Sequence, residues 1–591
     1  MVDNNILEIK KFLEGENEDL KYVVNVQANK YSNKAECIIH KPDGYKCIET
    51  HTYTPFLFVK DLKKHGIVLY DNNKELIKLK IEQYGITFTK LKTGNQKRLE
   101  NGYTYKVSSN ISFDAILNFY KDGGVDIYEK QRNEKGRLIK DKMGNYIFNN
   151  RKYFYYVSPE EQFFIDKKVR LFKGIDYYDN LHRLVFDIET QGLRPSINRI
   201  FAIALKDNFG FEKLLKVDEN DNDEEEKRII IEFFDIIDKI KPAVIAGYNS
   251  EEFDFDFILK RAEILNIDLT KLKTTLNDKS TIKRNHRATV KIGGETLRYT
   301  STIIWGVTVI DILHAVKKTA AINSDIKESG LKYICKFEDI AKENRMYISG
   351  DDNNIYHMWR DNKIFFINPK NNNYIIIPDK FQEIGLNLYK LQNSKDKLNL
   401  NDDDYKKIRN NFLKNNKEFV EWFKINCVEK QYIKLISGKE ILERYVLDDV
   451  WETEKIDALY NQSSFLLAKL IPTTYYRICT MGTASIWNLL MTAWSFNNNI
   501  AIPEPDEKVG FSGGLSRCFK KGYNENVIKI DFASLYPMIQ LTYDVFPIFD
   551  ITNIIKKMLS YFTTTRNVYK KMASGDSLNK ITFFYIRYVL L

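Results

Sequence analysis

The sequence predicts an α/β protein of several domains, and three observations lead there. Between about residues 176 and 460, short apolar runs of buried-strand length alternate with amphipathic helical patterns, as when strands and helices are laid down in turn. With 591 residues and 43% hydrophobic content the chain can fill several cores, and at ~150 residues per domain it divides into three or four. The character of the sequence changes near residues 175 and 460, which sets a mixed N-terminal region (1–175) and a third region (461–591) apart from the alternating middle (176–460).

In the first region, Tyr22–Val26 and Phe56–Val59 read as strands between lysine-rich turns such as Lys90–Gly94, with no grouping of side chains that carries chemistry. In the middle, Leu184–Ile188 and Ala243–Tyr248 have buried-strand length, and helical patterns run over Phe253–Leu265 and Ile441–Leu459. An acidic run, Asp218–Glu226, and an Asn- and Lys-rich stretch from about Ser349 to Lys417 read as solvated insertions, the second within an insertion of about 349–440. In the third region the apolar run Val527–Ile530 predicts a buried strand ended by Asp531. Pro537 suits the first turn of the following helix, and another helix is predicted over Met558–Lys571.

Composition narrows the function classes. The net charge of +10, from 90 Lys and Arg against 80 Asp and Glu, permits a nucleic-acid partner, but spread over this length it argues only weakly for one. The six cysteines are scattered without a CxxC pair, which speaks against a disulfide framework or a zinc site and for a reducing cytoplasm. The N-terminus is polar, and Ile581–Leu591, the most apolar stretch, is far shorter than the ~20 residues of a membrane helix, so a soluble protein with no membrane partner is expected.

Three short motifs carry the chemistry. In Phe186-Asp187-Ile188-Glu189-Thr190 the pleat of a strand turns both carboxylates to one side, which makes half of a Mg²⁺ site; alone, such a pair is more often an ordinary strand end. Asn249-Ser250-Glu251-Glu252-Phe253-Asp254 follows an apolar strand, with Ser250 placed to cap the next helix and Asp254 in its first turn. Tyr445 and Asp449 stand one turn apart on a helix face, where a phenol and a carboxylate can position a water and hold a metal. Lys283–Arg287 is a basic segment, and Val290–Leu297 reads as a hairpin with a two-residue loop.

In this order the motifs resemble those of the proofreading exonuclease of family B DNA polymerases. The resemblance extends to Gly247-Tyr248-Asn249, Val309-Ile310-Asp311, Ser329-Gly330-Leu331-Lys332-Tyr333, Arg477, Gly482–Trp487, Gly513-Gly514 and Asp531-Phe532-Ala533-Ser534-Leu535-Tyr536-Pro537. It implies an RNase H-like 3′–5′ exonuclease domain between a mixed N-terminal domain and a partial α+β palm with the start of the fingers. The insertion and the Asn-, Lys- and Ile-rich composition look most like polymerases of large bacteriophages, whose place of action is the host cytoplasm.

The resemblance also implies roles. Asp187, Glu189, Asp254 and Asp449 would hold two Mg²⁺ ions (or Mn²⁺), Tyr445 would orient the attacking water, and Asn249 and Phe253 would contact the frayed strand. The hairpin would help to part primer from template. Asp531 would bind the metal ions of polymerisation. Ser534 and Leu535 would cradle the triphosphate, Tyr536 would exclude a ribose 2′-hydroxyl, and Arg566 and Lys570 would face the triphosphate from the fingers helix. Gly513, Gly514 and Arg517 would track the template backbone. Primer-template DNA and dNTPs are the implied substrates, and a sliding clamp is a further implied partner.

Two departures stand against the family pattern. Asp254 and Asp449 are 195 residues apart (449 − 254), which points to the insertion. Nothing after Asp531 resembles the motifs KxxxNSxYG and YxDTD, and a thumb is absent. Polymerisation would therefore need a second polypeptide; a stand-alone 3′–5′ exonuclease and a non-catalytic DNA-binding remnant are the alternatives.

Overall fold

The strands Arg183–Thr190 (β1) and Ile200–Asp207 (β2) are buried along almost their whole length, as expected of inner strands covered on both faces. They lie at the heart of a five-stranded mixed sheet ordered β3-β2-β1-β4-β7, with β3 at Glu212–Lys216, β4 at Val244–Gly247 and β7 at Thr308–Asp311. β4 runs parallel to β1 and β7, whereas β2 is antiparallel to β1 and β3. The hairpin between β4 and β7, Ile282–Ile292 (β5) with Glu295–Ile304 (β6), turns at Gly293-Gly294 and carries a bulge between Asn285 and Ala288.

The computed structural model describes residues 4–69, 80–141, 146–218, 221–271, 282–342, 344–348, 352–398, 410–411, 414–428, 432–505, 517–523, 525, 527–528, 530, 532 and 534–572. They belong to two units, Ile175–Gln462 and Met1–Gly174 with Ser463–Leu591.

Around the sheet of the first unit, Asp223–Ile240 (α1) and Asp254–Ile264 (α2) bring Phe233 and Phe255 against Phe186, with ring centroids 5.1 and 4.9 Å apart. Shorter helices follow at Ile312–Ala320 (α3) and Leu331–Phe337 (α4). The 23-residue helix Gly438–Tyr460 (α5) begins at a capping box formed by Ser437 and Glu440. Arg183, at the start of β1, has no exposed surface; its guanidinium pairs with Asp457 and Asp179, lies 3.3 Å from Glu454 and stacks 4.3 Å over the Tyr178 ring.

The acidic run is exposed at Asp218 and at residues 222–224, as a solvated segment would be, but it is also the start of a helix. Asn222 caps α1 by accepting the Glu225 amide at 3.0 Å, and residues 223–226 form the first turn, where negative charge meets the positive end of the helix dipole. Glu226 is fully buried, accepting the Ile200 amide at 2.9 Å and an Arg261 Nε–H at 2.8 Å.

The longer insertion is not a solvated one. Ile364–Ile367 (β8), Tyr374–Ile376 (β9) and Lys434–Ser437 (β10) form an antiparallel sheet ordered β9-β8-β10. Successive residues of β8 enter different cores. Ile364 and Phe366 pack with Ile377, Phe381, Leu388 and Phe419, whereas Phe365 and Ile367 pack with Met346, Ile436, Ile441 and Tyr445. The apolar strands are short, and an average taken over their Asn- and Lys-rich surroundings hides the period-2 pattern.

In the other unit, Val23–Ala28, Lys34–His40 and Lys46–Thr52 form one antiparallel sheet, and Phe56–Val59, Ile86–Lys90, Tyr105–Ser109 and Phe154–Tyr155 form another. Buried Arg170 ties the two stretches of chain together by donating to the carbonyls of Phe12, Leu13 and Leu470, each at 2.9 Å, and Phe172 stacks on Phe465 at 4.9 Å. Helices Thr483–Asn498 (α6), Leu535–Tyr543 (α7) and Ile554–Met572 (α8) follow. Among the described residues the expected buried strand before Asp531 is not formed. Its described residues Val527, Ile528, Ile530 and Phe532 are 70–84% exposed, because no described strand pairs with them.

Replacing Arg183 by Leu is expected to lower the stability of its unit by ~3–5 kcal/mol, since Asp457 is left buried without its partner. The double variant Arg183→Leu/Asp457→Leu should recover much of that loss. Urea unfolding of the three proteins checks both; equal midpoints would show that the pair holds nothing together.

Candidate metal centre

The pleat of β1 sends Phe186 to the α1 and α2 side and turns Asp187 and Glu189 to the opposite face. On the neighbouring strand they stand opposite Ala204 and Ala202, whose methyl groups are too small to cover them. Asp449 reaches the same point from α5, and one carboxylate oxygen from each of Asp187, Glu189 and Asp449 lies within 4.8 Å of the others.

Asp254 is the first residue of α2. It is buried, and its Oδ1 accepts the Ile188 amide at 3.2 Å, which seats it beside Asp187. The loop leading to it is shaped by Asp311, at the end of β7. One oxygen of Asp311 accepts the Asn249 amide at 2.9 Å and caps α3 through the Leu313 amide at 3.0 Å; the other accepts the Glu251 amide at 3.2 Å. Asn249 takes a left-handed φ of +64° there, a conformation Asn tolerates better than most residues. The expected Ser250 cap is not made. Ser250 is buried, its hydroxyl has no hydrogen-bond partner among the described residues, and the loop turns once more so that Phe253 holds the N-cap position. The backbone folds back closely enough that a Cβ on Gly247 would lie 2.5 Å from that of Ser250. Phe253 is half-buried, its ring 5.7 Å from Phe257.

Burial pushes the Asp187 carboxyl up to about 6, and burial together with the neighbouring Asp187 charge holds Asp254 well above the ordinary carboxylate range. The Asp187 charge beside Asp254 marks a place where negative charge is crowded and a cation is favoured. All the donors are hard carboxylate oxygens, which fits Mg²⁺ or Mn²⁺ and not a thiolate- or imidazole-preferring metal.

Two cationic side chains reach this centre that motif reading did not single out. Lys332 of α4 and Arg345 both pair with the Asp449 Oδ1 atom, and the Lys332 ammonium lies 4.7 Å over the Tyr445 ring. Lys332 falls inside a segment that resembles the family, which was a usable signal. Arg345 stands in Asn- and Lys-rich surroundings that offered none.

The residues to which the resemblance gives roles in polymerisation lie in the other unit. Ser534, Leu535 and Tyr536 line a cleft of about 1420 Å³ together with Trp487, Asn488 and Arg566. Ser534 adopts a left-handed φ of +54° at the N-cap of α7, and Arg566 of α8 donates to its Oγ at 3.0 Å. Tyr536 is 80% exposed. Arg517 is exposed, its guanidinium 5.4 Å over the Phe519 ring. Asp531, Gly513 and Gly514 lie outside the described residues, as does the side chain of Lys570.

Residues 172–334 match the exonuclease-domain model of DNA polymerase family B. A DNA polymerase of Thermococcus hydrothermalis is 30% identical over 119 residues, covering 19% of this chain and 7% of that protein. One from Thermococcus sp. (strain 9oN-7) is 29% identical over 119 residues, covering 19% and 15%. The chain thus spans only 7–15% of the length of these curated relatives. The solved structure of the family B DNA polymerase from the hyperthermophilic archaeon Pyrobaculum calidifontis superposes with a TM-score of 0.53 over 95% of this chain and 65% of that one, at 13% identity. Residues 172–334 are thus similar to the exonuclease domain of family B DNA polymerases, and the fold of the chain is similar to that of the Pyrobaculum calidifontis enzyme.

Proposed function

We propose that this chain removes nucleotides from the 3′ end of DNA by phosphodiester hydrolysis. The observation that carries this reading is the convergence of Asp187, Glu189 and Asp449 within 4.8 Å, with Asp254 beside Asp187. These four carboxylates would hold two divalent cations, Mg²⁺ or Mn²⁺, which when bound supply charge neutralisation at the phosphate and activation of water. The phenol of Tyr445, one turn before Asp449, orients the attacking water. Lys332 and Arg345 pair with Asp449 and hold it facing the centre. Asn249 and Phe253, on the loop shaped by Asp311, contact the terminal nucleotide, and the basic β5–β6 hairpin holds the frayed strands apart.

A second reading, addition of dNTPs to a primer, is favoured by a different observation. The cleft of Ser534, Leu535, Tyr536 and Arg566 presents a backbone turn, an exposed phenol and a cation together, as triphosphate binding needs. Here we propose that Asp531 is one metal ligand of a palm whose other carboxylate comes from a second polypeptide. That polypeptide also pairs with the run at 527–532, whose described apolar residues Val527, Ile528, Ile530 and Phe532 are exposed and have strand character. Gly513, Gly514 and Arg517 follow the template backbone, and Lys570 joins Arg566 toward the triphosphate. A polymerase of this kind works with a sliding clamp.

With a 5′-labelled primer-template and Mg²⁺, the chain is expected to shorten the primer stepwise, and Asp187→Ala, Glu189→Ala or chelation of the metal should reduce shortening to background. Shortening that persists in Asp187→Ala would place the activity elsewhere.

Extension in the presence of dNTPs is expected only when a polypeptide bearing KxxxNSxYG and YxDTD is added, and Asp531→Ala should abolish it. Extension by the chain alone would rule out the need for that partner.

The raised carboxyls at Asp187 and Asp254 bind protons more tightly in the folded chain than in the unfolded one, so their contribution to stability is greatest below about 4; that of Asp187 is lost as the pH rises through about 6, and that of Asp254 as the pH rises through its own raised value. Mg²⁺ replaces those protons at neutral pH. Its addition should therefore raise the melting temperature at pH 7.5 and do so much less at pH 5, with the difference absent in Asp187→Asn; an equal shift at both pH values would count against metal binding at these acids.

A further inference from the structure

We propose that Arg345 is a resident counter-charge for Asp449, competing with a divalent cation for this carboxylate and so keeping the metal affinity of the centre low. The inference rests on reading Asp449 as a metal ligand. Arg345 arrives from residues 344–348, the segment that leads into the insertion, and is 2% exposed. Its Nη2 pairs with Asp449 Oδ1, its Nη1 lies 3.1 Å from Glu452 Oε2, and its guanidinium stands 5.7 Å from the Tyr445 ring and 5.2 Å from that of Tyr347.

What distinguishes Arg345 from an ordinary partner is that it cannot leave. The adjacent Met346 has no exposed surface and packs in the insertion core with Phe365, Ile367, Ile436 and Ile441, while its amide donates to Asp448 Oδ2 at 3.0 Å. The backbone carrying the guanidinium is therefore fastened to both the insertion and α5. Lys332 shares the same Asp449 oxygen, but its side chain is 36% exposed on a flexible stem, so it can turn to solvent when a metal enters. A guanidinium stays charged at any working pH, and a unit charge held a few ångströms from a divalent cation in a partly desolvated site repels it by several times thermal energy. Glu452 offsets part of this charge. The nitrogen that faces Asp449 remains, so net repulsion is the expected balance.

The segment leading into the insertion, anchored in its core through Met346, thus sets the metal response of a centre to which it contributes no ligand. Orientation is the compensating gain, because Asp449 is already turned toward Asp187 and Glu189 before any metal binds.

The test is a Mn²⁺ titration of the full chain without DNA, following free Mn²⁺ by electron paramagnetic resonance. Arg345→Gln is expected to bind Mn²⁺ about tenfold or more tightly than wild type, and Arg345→Lys, which keeps the charge, to stay close to wild type. If the buried Glu452 unfolds the single variant, Arg345→Gln/Glu452→Gln buries no unpaired charge and should still bind more tightly, by a smaller factor. Should the neutral variants, shown folded by circular dichroism, bind no more tightly than wild type, Arg345 is only structural and the inference fails alone. Absence of Mn²⁺ binding in every variant, or wild-type binding that survives Asp187→Asn, overturns the metal reading of the centre and this inference with it.

Discussion

The ion pair between Arg183 and Asp457 sets the register on which the centre depends. Arg183 and the two carboxylates of β1 share one face of the strand, four and six residues apart, which is ~13 and ~20 Å of extended chain. Asp457 and Asp449 share α5, eight residues or ~12 Å apart. Fixing Arg183 on Asp457 therefore lays the strand against the helix so that Asp187 and Glu189 come level with Asp449. A slip of one helical turn would carry Asp449 ~5 Å away, farther than the 4.8 Å within which the three oxygens now lie. A fully buried charge pair is a poor source of net stability, but as a register device it is hard to replace with apolar packing, which tolerates sliding.

Much of the fold of this unit could be read in advance because its signals are local and periodic. β1, β4, α2 and α5 follow from short apolar runs and helical spacing, and the β5–β6 turn from Gly293-Gly294. The misreadings share a cause. The acidic run and the insertion were judged by average composition, yet Glu226 is buried because Arg261 and the Ile200 amide meet it, and β8 is buried because two separate cores lie on its two faces. Both depend on partners far away in sequence. Val527, Ile528, Ile530 and Phe532 show the converse, residues of strand-forming type left exposed.

The centre itself was legible as far as its acids go. Alternation on β1 gives Asp187 and Glu189 a common face, and helical spacing gives Tyr445 and Asp449 theirs. What the sequence could not yield is the environment, with Asp254 fastened to the Ile188 amide, Asp311 bracing the loop, and Arg345 coming from a segment whose composition looks inert. Side chains that act through burial and charge leave no spacing signature.

The folded insertion also bears on how the molecule assembles. Asp449 is 195 residues from Asp254, and closing a flexible loop of that size costs more entropy than closing a short one. Because the β8–β10 sheet ends at Ser437, the residue that caps α5, the insertion can condense on its own contacts and deliver α5 already nucleated. The separation that matters to folding is then the short span between two formed pieces, and Asp449 arrives on a helix with its first turn already made.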